Sequence, residues 1–161
     1  MAITEGADLP EASFTALGEN GPTTVSLGDK TKGRKVVIFA VPGAFTPTCH
    51  SAHVPSFIRS MDALKGKGVD EVVCISVNDA FVMKTWGEAT GATEAGITML
   101  ADGMGEFTEK LGLGFDAAPV GLKGRSKRYA MMVEDGVVKV YHPETGKGCE
   151  ISGGEAMVDA L

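Results

Sequence analysis

The chain has 161 residues, of which 43% are hydrophobic and 22% charged, and its formal net charge at pH 7 is -6. This length suits one domain with a hydrophobic core, so we expect residues 1 to 161 to form a single domain. Basic residues are dense only from Lys123 to Arg128. The composition therefore argues against nucleic-acid binding, which needs an extended basic patch.

The first ten residues, MAITEGADLP, have neither the basic nor the apolar region of a signal peptide, and their two acidic residues argue against a transit peptide. The longest apolar stretch, Val36 to Ala44, is too short to cross a bilayer. Three cysteines are an odd number, which argues against a disulfide framework. We therefore expect a soluble, cytoplasmic protein whose thiols are buried, metal-bound or reactive.

Beyond residue 30, apolar β-branched runs alternate with amphipathic segments. The pattern predicts strands at Arg34 to Val41 and Asp70 to Val77, joined by a helix from His50 to Leu64. The later predicted elements are a helix capped by Asn78 or Asp79 that ends near Gly91, a short apolar run at Ile97 to Leu100, a helix at Glu106 to Leu111, a hairpin of Lys127 to Val133 with Val137 to Tyr141, and a helix at Glu155 to Leu161.

This order of elements, βαβα followed by ββα, predicts an α/β fold: a thioredoxin-like three-layer sandwich. Residues 1 to 30 are rich in glycine and proline, and we expect them to form an N-terminal extension folded onto the sandwich. Residues 117 to 124, AAPVGLKG, predict a surface loop.

A cysteine lies where the first predicted strand meets the first predicted helix. Pro42 ends the strand, Thr46 is a suitable N-cap, and Pro47 suits the first helical position, where its missing N–H is no loss. Cys49 then falls in the first turn, where the helix dipole and free N–H groups favour a thiolate. Pro55 cannot donate to the preceding turn and predicts a kink.

Three interpretations of this cysteine remain open from the residues themselves. Cys49 can be a buried, inert thiol in a non-catalytic binding domain. With His50 and His53 it spells C-H-x-x-H, which suggests a metal site, although adjacent helix residues diverge and a metal would quench the nucleophile. His53, one turn after Cys49, suggests a Cys-His dyad of a cysteine hydrolase.

The segment VPGAFTPTCHSAHVPSF, residues 41 to 57, contains the motif P-x-x-x-T-x-x-C and resembles the active-site segment of peroxiredoxins. The resemblance continues through residues 73 to 88, 99 to 103 and 125 to 140, and it is to the peroxiredoxin 5 or type II (atypical) subfamily. It implies a thioredoxin-like fold, reduction of hydrogen peroxide and organic hydroperoxides without metal or prosthetic group, and a homodimer.

The resemblance also implies roles for individual residues. Cys49 is expected to be the peroxidatic cysteine, Thr46 its hydroxyl partner, Pro42 a shield of the pocket and Arg128 the guanidinium beside the thiolate. Thr48 and His53 are secondary candidates in the same segment.

Strand alternation separates Arg128 from a neighbouring arginine. If Lys127 to Val133 is a strand, Arg128 shares one face with Ala130 and Met132, and a charge on that apolar face needs an anionic partner. Arg125 precedes the strand and is expected to stay in a loop.

Recycling of an oxidised Cys49 needs a second thiol. Cys74 lies in a predicted central strand and Cys149 in a Gly-rich loop, so exposure favours Cys149 as the resolving cysteine. A mechanism that uses only Cys49, with thioredoxin, glutaredoxin or glutathione as the reductant, is the third option.

Overall fold

The computed structural model describes residues 2–146 and 148–161. The strands of this part of the chain are β1 Ser13–Gly18, β2 Gly21–Ser26, β3 Lys35–Val41, β4 Glu71–Ser76, β5 Thr98–Ala101, β6 Gly114–Ala117, β7 Leu122–Ser126, β8 Tyr129–Glu134 and β9 Val137–Pro143. Its α-helices are α1 Leu27–Thr31, α2 Val54–Gly66, α3 Ala80–Thr90, α4 Glu106–Lys110 and α5 Gly154–Ala160.

A seven-stranded sheet organises the fold, with strand order β2-β1-β5-β4-β3-β8-β9. The central strands β3, β4 and β5 pair in parallel, and β8 and β9 are added antiparallel beside β3. Buried residues of α2, α3 and α5 form one hydrophobic cluster with the sheet, and those of α1 and α4 form a second cluster. Helices thus cover both faces, which confirms the predicted three-layer α/β sandwich of thioredoxin-like type.

The N-terminal extension contributes more regular structure than its composition predicts. Its strands β1 and β2 form an antiparallel hairpin, and β1 joins the main sheet beside β5 through Thr15 and Ala101. Most residues of this hairpin are exposed or half-exposed. Their hydrophobic alternation is therefore weak, which is why the sequence predicts no strands here.

The prediction of a surface loop at residues 117 to 124 is wrong in part. Strands β6 and β7 form a small two-stranded sheet, and a 3₁₀ turn at Ala118–Val120 connects them. The second strand carries Arg125, which pairs with Phe115 instead of lying in a loop. The prediction failed because this hairpin stands outside the main core and lacks a buried apolar face.

Local signals located the other elements well. Asp79 caps α3 by accepting a hydrogen bond from Val82 N at 2.9 Å, and the helix ends at Gly91 in the left-handed conformation. Asp135 and Gly136, both with positive φ, form the tight turn between β8 and β9.

The predicted helix from His50 to Leu64 begins differently. Helical backbone starts at Pro47, a π-helical turn spans Cys49–His53, and α2 follows from Val54. Val54 N donates to Cys49 O, which is a bond to the fifth residue back. Pro55 has no N–H, so the wider turn adjusts the chain at the point where the sequence predicted a kink.

The α-helices of residues 2–146 and 148–161 are all too short or too polar to cross a membrane.

Candidate active site

The loop between β3 and the helical turn sets the position of Cys49. His50 N donates to Thr46 O at 2.9 Å, which makes Thr46 the residue that begins the helix. The Thr46 hydroxyl donates to Gly43 O at 2.7 Å. Its proton is thus directed back into the loop, and its lone pairs remain as acceptors.

The same loop contains a residue in an unfavourable backbone conformation. Phe45 has a φ of 65°, a left-handed backbone angle that residues other than glycine rarely adopt. The neighbouring amide of Ala44 donates to Asn78 Oδ1 at 3.0 Å, and Ser76 Oγ donates to the same oxygen at 2.6 Å. Asn78, considered from the sequence only as a helix cap, therefore holds the loop from the adjacent strand.

Cys49 and Arg128 meet in the buried interior. Arg128 Nη2 donates to Cys49 Sγ at 3.2 Å, and Arg128 Nη1 donates to His53 Nδ1 at 2.9 Å. His53 Nε2 in turn donates to Ser152 O at 2.8 Å. Cys49 and His53 are fully buried, and Arg128 is only 8% exposed. One guanidinium thus contacts both the sulfur and the imidazole.

The electrostatics of His53 follow from this arrangement. Burial first, and then the positive charge of Arg128, lower the pKa of His53 to about 3. A neutral imidazole with its proton on Nε2 satisfies both observed contacts, since Nδ1 then accepts from Arg128. The neutral His53 therefore contributes no negative charge opposite Arg128.

The two alternatives that involve the histidines do not fit the site. Both ring nitrogens of His53 are engaged away from Cys49, so no Cys-His dyad is formed. His50 Nδ1 accepts from Trp86 Nε1 at 3.1 Å instead of facing a metal position. Among the residues that the structure describes, no group of three or more His, Cys, Asp or Glu is arranged to hold a metal ion.

Arg125 is half-exposed, and its guanidinium contacts the loop that follows β3. Its Nη1 donates to Pro42 O at 3.4 Å. Gly43 permits this approach, because a Cβ there would lie 2.8 Å from Arg125 Nη1 and 3.2 Å from Thr46 Cγ2. Arg125 supports the backbone of the loop, whereas Arg128 contacts the sulfur.

The remaining secondary candidate is Thr48, which lies directly before Cys49 in helical conformation. Its side chain makes no capping hydrogen bond.

The other two cysteines differ in burial. Cys49, Cys74 and Cys149 are all free thiols. Cys74 lies in β4 in the same hydrophobic cluster as Cys49, and burial raises its pKa well above the usual value, with Cys49 adding to the effect. Cys149 is half-buried near Gly153, whose Cβ, if present, would lie 3.6 Å from the sulfur. Burial raises the pKa of this thiol as well.

A carboxylate that the sequence analysis missed organises the chain beside Cys149. Glu144 Oε2 accepts hydrogen bonds from the amides of Glu150, Ile151 and Ser152 and from the Ser152 hydroxyl, at 2.8 to 3.2 Å. Burial opposes ionisation, but these bonds together lower the pKa of Glu144. They fix the segment whose Ser152 carbonyl accepts from His53. An acidic residue ahead of a Gly-rich stretch was the only signal for this role in the sequence.

Comparison with known proteins places this site in a family. The family model described as Redoxin matches residues 4–158. Peroxiredoxin-2E-2, chloroplastic, of Oryza sativa subsp. japonica is 45% identical over 99% of this chain and 72% of its own length. Peroxiredoxin-2C of Arabidopsis thaliana is 43% identical over 99% of this chain and 98% of its own length.

A solved structure shows the same similarity. Reduced Prx3 of Vibrio vulnificus, in complex with H₂O₂, superposes with a TM-score of 0.92 at 48% identity and covers 98% of both chains. At this identity and coverage the chain belongs to the peroxiredoxins, a family of thiol peroxidases, and its relatives are consistent with the type II subfamily.

Proposed function

We propose that Cys49 is the peroxidatic nucleophile of this thiol peroxidase and that Arg128 is the group that activates it. The observation that carries the proposal is the 3.2 Å contact from Arg128 Nη2 to Cys49 Sγ in a fully buried site. A fixed cation beside the sulfur favours the thiolate, and the thiolate is the reactive form.

The reaction transfers one oxygen atom to sulfur. The Cys49 thiolate attacks the terminal oxygen of a hydroperoxide ROOH, the S–O bond forms, the O–O bond breaks, and RO⁻ leaves and takes up a proton to become ROH. The sulfur is oxidised by two electrons to a sulfenic acid, and the peroxide is reduced by the same two electrons. Negative charge moves from sulfur to the departing oxygen, so the donors of Arg128 must serve both atoms.

Thr46 directs the peroxide. Thr46 directly precedes the helical turn, three positions before Cys49, so we expect its side chain to lie on the same side of this turn as the sulfur. Its hydroxyl proton is directed to Gly43 O, so its oxygen accepts the O–H of the peroxide and fixes the direction of the O–O bond. Pro42 lies in the cavity next to Arg128 and shields the pocket from water.

The sulfenic acid is returned to the thiol by condensation with a second thiol, which releases water, and by a further thiol that reduces the resulting disulfide. Cys149 is the preferred resolving cysteine, because it is half-exposed and an external reductant can reach it. Cys74 is the internal alternative, since it shares the buried cluster with Cys49. Direct attack by thioredoxin, glutaredoxin or glutathione is the third route.

Mass spectrometry of the reduced protein after one equivalent of H₂O₂ tests this scheme. We expect a dimedone adduct on Cys49 at short times, followed by a disulfide between Cys49 and Cys149. A disulfide to Cys74, or a persistent sulfenic acid, selects one of the other two routes. Oxidation that spares Cys49 contradicts the proposal for the nucleophile.

A homodimer is the proposed assembly. Phe45, Phe81 and Met104 are exposed by 51%, 61% and 86%, and the last two line one cavity. Exposed apolar patches of this kind mark interfaces. We expect Phe81→Ser to shift sedimentation velocity profiles towards the monomer, whereas Ile151→Ser, at an apolar residue outside this group, leaves the profile of the wild type. A wild type that sediments as a monomer at micromolar concentration contradicts the dimer.

A cytoplasmic location stays a prediction. Subcellular fractionation of the native protein tests it, and recovery of the protein in an organelle fraction contradicts it.

A further inference from the structure

A cavity of about 270 Å³ opens beside Arg128, whose guanidinium contacts Cys49 Sγ from the cavity wall. Its lining includes Pro42, Phe115, Lys127, Arg128, Glu144 and Gly146. Arg128 joins this cavity to the proposed reacting atom, because the guanidinium that lines the cavity also donates to Cys49 Sγ. A substrate that reacts at Cys49 can therefore place the rest of its structure in this cavity. Hydrogen peroxide has no organic substituent that could occupy this cavity.

The charge of the cavity is opposite to that of the protein. The one dense basic run of a chain with net charge -6 is Lys123 to Arg128, and its last two basic residues line this cavity. Lys127 is exposed at the cavity, Arg128 lies buried in its lining, and Arg125 contacts Pro42 O. The single acidic side chain named in the lining is Glu144, and its Oε2 already accepts four hydrogen bonds.

The cavity also offers an apolar surface. Phe115 is half-buried on β6 and Pro42 lies on the active-site loop, so the two present a ring and a pyrrolidine to the same space. The volume is close to the lower limit of about 300 Å³ for small-molecule pockets. An apolar chain of moderate length fits a space of this size.

We propose that the preferred substrates are organic hydroperoxides that carry a carboxylate on a short or medium apolar chain. This inference rests on the proposed role of Cys49. The peroxide group meets Cys49 and Arg128, the chain packs on Phe115 and Pro42, and the carboxylate pairs with Lys127. The chemical step is the one given above, with R bearing the carboxylate, so the product is the corresponding hydroxy acid.

A matched pair of substrates tests the proposal. The rate of Cys49 oxidation is measured in single turnover with a medium-chain hydroperoxy fatty acid and with its methyl ester, below their micelle concentrations and at low salt. Because an exposed ion pair contributes at most about 1 kcal/mol, we expect the acid to react up to about fivefold faster than the ester. Added salt reduces this ratio by screening.

Two lysine variants locate the effect. Lys127→Gln is expected to bring the ratio of acid to ester close to one, whereas Lys139→Gln, at an exposed lysine of β9, retains the wild-type ratio. Phe115→Ala is expected to slow both organic substrates relative to hydrogen peroxide. These readouts are ratios, so a general loss of folding does not imitate them.

The outcomes separate this inference from the proposed function. Equal rates for acid and ester in the wild type, or a ratio that Lys127→Gln does not change, overturn the substrate class while hydrogen peroxide still oxidises Cys49. Failure of hydrogen peroxide to oxidise Cys49 contradicts the proposed nucleophile instead.

Discussion

Two cysteines in one hydrophobic cluster, the proposed nucleophile Cys49 and the core residue Cys74, lie in different polar environments. Cys49 and Cys74 are both fully buried and lie on the same face of the sheet. Arg128 Nη2 donates to the sulfur of Cys49, whereas burial is the dominant influence on Cys74 and raises its pKa well above the usual value. Burial alone disfavours a thiolate, whereas a cation at hydrogen-bonding distance from a sulfur opposes that effect.

The backbone conformation around Cys49 also differs from that around Cys74. Cys74 lies within β4, where it is held by parallel pairing with both β3 and β5. Cys49 begins a π-helical turn at the end of a loop whose residue Phe45 has a positive φ. Unfavourable backbone conformations of this kind concentrate at functional sites. The two equally buried thiols thus differ in their backbone, since Cys49 follows a loop and Cys74 is held within a paired strand.

The largest effect is expected when the sulfur of Cys49 is replaced. Cys49→Ser should slow single-turnover peroxide consumption by more than about a thousandfold, because a hydroxyl is a far weaker nucleophile than a thiolate at neutral pH. Cys74→Ala should retain the rate of this first step. Stopped-flow measurement with one equivalent of hydrogen peroxide checks both, and near wild-type oxidation in Cys49→Ser refutes the assignment.

The next largest effect is expected when Arg128 is replaced, because its cation contacts Cys49 Sγ. Arg128→Ala should lower the peroxide rate by roughly a thousandfold, near the upper end of the range for one preorganised donor, and should also slow iodoacetamide alkylation of Cys49 at pH 7. Arg125→Ala is the matched control, since the guanidinium of Arg125 donates to Pro42 O in the backbone of the loop, whereas that of Arg128 donates to the sulfur. The assignment fails if Arg125→Ala, and not Arg128→Ala, slows alkylation.

A smaller effect is expected at the hydroxyl that orients the substrate. Thr46→Val should lower the peroxide rate by about a hundredfold, because the hydroxyl of Thr46 is lost while the shape is kept. Thr46→Ser, which keeps the hydroxyl and its bond to Gly43 O, should recover most of the activity. Rates within threefold of wild type in Thr46→Val leave this residue with a structural role only. Circular dichroism of both variants controls for folding.

The sequence identified those parts of the site that depend on local chemistry. Thr46 and Pro47 mark the helix start, and strand alternation places Arg128 on the face of Ala130 and Met132, which belong to the cluster that contains Cys49. Arg128 itself precedes β8, so its predicted place inside the strand was wrong by a short distance.

Contacts between residues distant in sequence could not be predicted in the same way. The bond of Asn78 to the loop at Ala44 spans 34 positions, and that of His53 to Ser152 spans 99. Neither position carries a periodic pattern that would reveal its partner. The hairpin that carries Arg125 was missed for a different reason, because its strands are short and mostly exposed.

The last prediction concerns His53, the buried neutral imidazole that accepts a hydrogen bond from Arg128. Its pKa is lowered from 6.5 to about 3, so above pH 6.5 the imidazole is neutral in both the folded and the unfolded chain. As the pH falls from 6.5 towards 3, the unfolded chain binds a proton that the folded chain excludes. The free energy of unfolding should therefore decrease by about 1.4 kcal/mol per pH unit on account of this residue.

Replacement by a side chain that does not titrate isolates this contribution. His53→Asn keeps an acceptor near the position of Nδ1, so Arg128 retains a partner, but it binds no proton in this range. Between pH 6.5 and 5 the wild type should lose about 2 kcal/mol more stability than the variant, as measured by urea denaturation at each pH. Other titrating groups are common to both proteins and cancel in the difference. Parallel pH profiles would mean that His53 is protonated in the folded protein, and Arg128 would then need a different acceptor.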